Sequence, residues 1–258
     1  MDVSREAFRV DETSGGAGLW HFEGLARMEG VVHAVTPKGP WLLPADPEDS
    51  EHANRVEALA EALGLEAAAW LRQVHGARVL QAEEPGLLGE ADALVCARPG
   101  LGILVRGADC PLILAASRGP RGTVVGAAHA SWRGTVVRAG QRMVEALLAR
   151  SGGAPGDLRA AIAPSAGPCC YQVGEEVRDA ALASLGEAAG SHFTPQDGGL
   201  YFDLWAANRA QLEAVGGAPM HIETAGQCSI CGNHRWPSWR AEGAAAGRMA
   251  AIIGIFES

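Results

Sequence analysis

A fold mixing α-helices with buried β-strands is predicted by three observations: short apolar runs of strand length, longer segments with helical spacing, and turn residues separating the two. The strand candidates are 102–105, 112–115, 124–128, 160–163 and 249–256, each apolar throughout and so expected to be covered on both faces. Helical spacing is clearest over 54–63, where Val56, Leu59 and Leu63 share a face ahead of Gly64, and over 136–148. Val177, Ala181 and Leu185 mark a third helix ending at Gly186. A fourth starts after Asp203 and runs through Leu204, Asn208 and Leu212 to stop at Gly216. Loops are expected at 44–50 and 152–156, and neither reads as a domain boundary.

The chain has 258 residues and is 48% hydrophobic, enough to bury a large core as one domain or as two fused halves. Twenty-one basic residues against 30 acidic ones give a formal net charge of -9 and no basic stripe, which disfavours nucleic acid as a partner. The first ten residues lack the apolar core of a leader, and no run is long and apolar enough to span a membrane, so a cytoplasmic protein with no membrane partner is expected. In such a reducing compartment the six cysteines are expected to be buried, metal-bound or reactive, not disulfide-paired.

Three segments carry candidate chemistry. In V-V-G-A-A-H-A-S-W-R-G an apolar strand delivers His129 at its end and leads through Arg133 into a helix, a place where ligands and anions gather. A second strand leads into Asp109 and Cys110, a carboxylate and a thiol at a strand break. The third segment is Q-V-H-G, Gln73 to Gly76, read as following a helix. Taken singly, His129 reads equally as a residue satisfied by the backbone, His75 as a loop residue, and Cys110 as a core residue. Taken together, His75, Cys110 and His129 are the nitrogen and sulfur set with which catalytic zinc keeps a fourth position open, although no spacing rule makes them meet. The remaining cysteines form the pair Cys169 and Cys170 and the C-x-x-C of Cys228 and Cys231. A single C-x-x-C is a weak zinc signal, and a structural or incidental role is expected for both groups.

In order along the chain, Q-V-H-G, A-D-C, H-A-S-W-R-G, A-P-S-A-G-P-C-C-Y-Q-V-G, D-L-W-A-A-N-R-A-Q-L and C-S-I-C followed by Ser238, Arg240, Gly247 and Arg248 resemble the YfiH-like family. That family was long labelled laccase-domain or polyphenol oxidase and is now regarded as purine nucleoside phosphorylases. The resemblance covers most of the chain from residue 70 onward. It implies a single α+β domain spanning 1–258, with mixed sheets sandwiched between flanking helices. It also implies zinc on His75, Cys110 and His129, phosphorolysis of adenosine, inosine, guanosine and 5′-methylthioadenosine, deamination of adenosine, and a monomer. The N-terminal third departs from the pattern: where the family has H-G-F-S-T-R, this chain reads His33, Ala34, Val35, Thr36, Pro37 and Lys38, and a lysine offers a point charge in place of a bidentate fork.

For a nucleoside and phosphate as small-molecule substrates, Lys38, Gln73, Arg133 and Arg240 are the candidate binding residues. Cys110, Asp109 and Arg133 are the candidate catalytic ones, with Asp109 either a general acid or a partner that orients a histidine. Three other readings stand beside this one, of which one is non-catalytic, with zinc only stabilising the fold or a binding surface. An amide hydrolase, such as one editing cell-wall precursors, would use Cys110 as nucleophile with a nearby histidine. A multi-copper oxidase would need clustered histidines, whereas the eight here are scattered and none forms H-x-H.

Overall fold

The computed structural model describes residues 8–11 and 18–256, so the N-terminal stretch read above for a leader lies largely outside the described residues. Two sheets lie face to face. One has seven strands in the order Phe8–Asp11, Leu19–Phe22, Val31–Val35, Met249–Ile255, Leu101–Gly107, Ala67–Arg72 and Gly86–Glu90. The other has six, in the order Ile222–Thr224, Leu158–Ile162, Leu112–Gly119, Gly122–His129, Ala93–Cys96 and Val79–Gln81. Both mix parallel and antiparallel pairs: Leu101–Gly107 runs antiparallel to Met249–Ile255 and parallel to Ala67–Arg72.

The alternation of side chains along each strand divides the interior into layers. Ile103, Val105, Ala251 and Ile253 meet Leu112, Leu114, Val125 and Ala127 between the sheets. Leu104, Ala250 and Ile252 face outward onto Val56 and Leu59 of the helix Ser50–Ala62 and onto Leu63, which caps its C-terminus. On the far side, Ala93, Val95, Ile113 and Ala128 receive Met143, Val144 and Leu147 of the helix Ala139–Ser151, and Leu212 of Leu204–Ala214. Gly126 permits that close approach, since a Cβ there would stand 2.2 Å from the Met143 sulfur. The expected sandwich of mixed sheets between helices is therefore what forms. A small sheet of Gln172–Val173, Gly199–Phe202 and Phe193–Gln196 adds a satellite core with the helix Glu175–Leu185.

Two local expectations need correction. The helical spacing over 136–148 spans a break: a short helix Trp132–Val136 ends, Arg138 takes the left-handed conformation at φ 62°, and the long helix starts at Ala139. The reason is divergent burial, because Val136 packs into the satellite core while Val144 and Leu147 lie on the six-stranded sheet. The segment Gln73 to Gly76 follows the strand Ala67–Arg72 and not a helix. Its run of alanines has a helix former's propensity, and pairing between two parallel neighbours overrides it.

Candidate metal centre

Three chain segments converge where the two sheets abut. The turn 108–111 carries the chain from the strand Leu101–Gly107 of one sheet to Leu112–Gly119 of the other, and Cys110 sits on it. His129 closes the strand Gly122–His129, opposite Leu112. His75 lies in the loop after Ala67–Arg72. Their donor atoms all lie within 4.8 Å of one another, and the two imidazole rings meet edge to face with centroids 5.0 Å apart. His75 at φ 61° and Asp109 at φ 84° both occupy the left-handed region, unusual for residues other than glycine. Such strain persists only where surrounding contacts hold it.

The contact that holds the His75 loop is Asp92, a buried carboxylate. It accepts the N–H groups of Val74 at 3.3 Å, His75 at 2.9 Å and Gly76 at 2.6 Å, while its Oδ1 lies 2.8 Å from His129 Nδ1. One side chain thus shapes the loop that carries one histidine and orients the ring of the other, leaving His129 Nε2 to face Cys110. Burial works to raise the Asp92 carboxyl, but the bonds from His129, Gly76 and His75 outweigh it and hold the group low. Burial likewise opposes ionisation of Cys110, yet the neighbouring His129 and His75 bring its thiol down to about 7. Against burial, Cys110 and Asp92 lift His129 to about 9. Cys110 and His129 thus draw each other toward a thiolate–imidazolium pair, and the thiolate is the form in which cysteine binds metal or attacks carbon.

These groups form the floor of a cavity of about 400 Å³, within the size range of small-molecule sites. Gln73 lines it, with its amide tied to the backbone of Arg106 through Nε2 to the carbonyl at 2.7 Å and from the Arg106 N–H to Oε1 at 2.9 Å. Arg240 lines it too, over the Tyr171 ring at 4.9 Å. Asp109 uses both carboxylate oxygens structurally, accepting Ser229 Oγ–H at 2.7 Å and the Arg240 N–H at 2.7 Å. Arg133 is exposed on the ring of Trp132, outside the lining but close enough for its charge to act on Tyr171. Lys38 stands apart, paired with Glu242 at 2.8 Å.

Sequence reasoning missed Asp92, Arg106, Tyr171, Trp239 and Arg248 as site residues. Asp92 had no motif around it, and only its burial at a sheet junction marks it. Arg106 sits in an otherwise apolar strand, and that exception was a usable signal: an arginine amid Leu104 and Val105 needs a reason to be there. It is only 7% exposed, it donates to the Ala45 carbonyl, and among the described residues its Nε has no partner. Burial and the nearby Arg248 bring its guanidinium down to about 10, so it remains charged near neutrality.

A two-sheet sandwich with a His/Cys/His centre on the floor of an arginine-lined pocket defines a class of metal-site protein. The chain belongs to the family described as multi-copper polyphenol oxidoreductase laccase, whose model matches residues 44–256. It is 40% identical over 200 residues to a protein of Deinococcus radiodurans named purine nucleoside phosphorylase, covering 76% of this chain and 74% of that one. It is 35% identical over 200 residues to adenosine deaminase RL5 from an unknown prokaryotic organism, covering 72% of this chain and 73% of the other. The crystal structure of the hypothetical protein YfiH from Bacillus licheniformis superposes with a TM-score of 0.82 at 26% identity, covering 96% of this chain and 98% of that one.

Proposed function

We propose that this chain is a zinc-dependent purine nucleoside phosphorylase that also deaminates adenosine. The observation that carries the reading is the convergence of His75, Cys110 and His129 beneath a pocket with three arginines, in a family whose members bear those two activities as names. The donor set fits zinc: two imidazoles and a thiolate, mutually within reach of one ion, with Asp92 fixing the outer nitrogen of His129. Copper oxidase chemistry is disfavoured by the donors themselves, since among the described residues the metal-capable clusters are this one and a group of four cysteines, with no many-histidine centre. When bound, zinc would supply a Lewis acid able to polarise a purine substituent or acidify a water.

The remaining chemistry falls to the side chains. In phosphorolysis a phosphate oxygen bonds to the ribose anomeric carbon as the glycosidic C–N bond breaks, and the purine leaves with the electron pair and takes up a proton. Arg106, Arg240 and Arg248 line the pocket and would hold the phosphate. Tyr171 and Trp239 offer ring faces to the purine. Asp109 is then a positioning residue, fixing Arg240 and Ser229, and Arg133 at the rim draws anions inward.

One observation favours a second reading: Asp92, His129 and Cys110 stand in series, as a nucleophile with its base and orienting acid would, which suits a cysteine hydrolase acting on amides. One experiment tests both. Zinc-loaded protein is incubated with adenosine and phosphate, and adenine, ribose 1-phosphate and inosine are separated by chromatography, with Cys110→Ala in parallel. From the wild type alone, adenine with ribose 1-phosphate supports the phosphorylase activity and inosine the deaminase activity. Silence from both proteins, with rapid alkylation of Cys110 in the metal-loaded protein, moves the assignment to the hydrolase.

A further inference from the structure

The four cysteines outside the pocket come together in the fold. The pair Cys169 and Cys170 lies on a turn closed by the Cys170 and Tyr171 N–H groups on the Gly167 carbonyl, at 3.0 and 2.9 Å. Cys228 and Cys231 lie on a second turn, where the Gly232 N–H reaches the Cys228 carbonyl at 2.9 Å. A short parallel bridge between Ser165 and Cys228 zips the two turns together. All four sulfurs then lie within 4.8 Å of one another, and Cys169 Sγ stands 3.8 Å from Cys231 Sγ.

That separation decides what the cluster is built to do. A disulfide requires about 2.05 Å between sulfurs. Four thiolates placed tetrahedrally about zinc at roughly 2.3 Å stand about 3.8 Å apart along each edge. Cys228 Sγ also accepts the Gly167 backbone N–H at 3.3 Å, a bond that ties the second turn to the first. The joint leaves no room for larger residues, because a Cβ on Gly232 would stand 2.5 Å from the Cys228 carbonyl and one on Gly167 3.1 Å from the Cys228 Cβ.

We propose that Cys169, Cys170, Cys228 and Cys231 bind a second zinc ion, a closed structural site separate from His75, Cys110 and His129. Its role follows from what the two turns carry. The first leads into Tyr171 and Gln172, the second into Ser229, Trp239 and Arg240. Beyond the cluster these elements hold one another: Arg240 Nη1 donates to the Gln172 carbonyl at 3.0 Å, and Ser229 and Arg240 both donate to Asp109. The ion would clamp the two loops that form one wall of the pocket, so its loss would loosen that wall without touching the pocket floor.

Full-length protein purified under reducing conditions with zinc supplied should contain two zinc ions per chain by elemental analysis. Cys110→Ala, which breaks the first site, should retain one. Cys231→Ser should also retain one, and the cobalt-substituted wild type and Cys110→Ala proteins should show the strong sulfur-to-cobalt absorption of a four-thiolate site that Cys231→Ser lacks. Because Cys110→Ala reads the second site directly, the test stands even if Cys231→Ser fails to fold or if the nucleoside reaction is absent. Loss of all zinc from Cys110→Ala, or a non-reduced Cys169–Cys231 disulfide recovered by peptide mapping from that reduced preparation, would overturn the proposal.

Discussion

Asp92 Oδ1 lies 2.8 Å from His129 Nδ1, while the same carboxylate accepts the backbone N–H of His75 at 2.9 Å. A single buried acid therefore determines where both histidines of the centre stand, although it comes from neither of their segments. Replacing it with asparagine keeps the volume, removes the charge and turns one of the two accepting oxygens into an NH2 donor, so either His129 and His75, or Val74 and Gly76, lose their acceptor. Metal affinity of Asp92→Asn is expected to fall by about 10- to 100-fold, read by competition with a chromophoric chelator. An unchanged affinity would show that the three donors hold their places without Asp92.

Arg106 is a buried guanidinium facing the pocket, with Nε unpartnered among the described residues. A phosphate oxygen there would satisfy it, and a charge-assisted bond of this kind contributes about 1.5–3 kcal/mol. Arg106→Met should raise the KM for phosphate by at least about tenfold and change the KM for the nucleoside far less. Equal changes in both constants would place Arg106 in the framework and not at the anion.

Asp109 holds Ser229 and the backbone of Arg240, both at 2.7 Å, from a left-handed φ of 84°. For Asp109→Asn we expect the KM to rise several-fold, with the pH profile of kcat keeping its shape, because the residue acts through the position of Arg240. A general acid would instead show the loss of one limb of that profile.

Acid should weaken the fold through His33, which is buried and accepts the Phe22 N–H on Nε2 at 2.8 Å. Burial, with the neighbouring His21 adding to it, brings its pKa down from 6.5 to about 3. Between those values the unfolded chain binds a proton that the folded chain refuses, so this contribution is complete above pH 6.5 and declines as pH falls toward 3, by up to roughly 1.4 kcal/mol per pH unit. His33→Gln retains an acceptor for Phe22 and should show a shallower loss of urea stability from pH 7 to pH 5 than the wild type. Parallel slopes would sink the assignment.

The sequence alone determined that strands are buried between helices, since runs such as 102–105 and 249–256 are apolar on both faces and the helix Leu204–Ala214 carries its own cap at Asp203. It also marked Cys110 and His129, because turns that follow apolar strands are where functional side chains collect, and it marked His75 as a third nitrogen donor to set beside them. Tertiary structure decided what those residues do together. The placement of Asp92 beneath two histidines, of Arg106 beside Arg248, and of one cysteine pair against the other depends on which strands become neighbours. Strand order arises from packing across the whole sheet, so a buried aspartate 37 positions from the histidine it orients leaves no local pattern to read. The same cause hid the strand Ala67–Arg72, whose alanines favour a helix until two parallel neighbours pair with them.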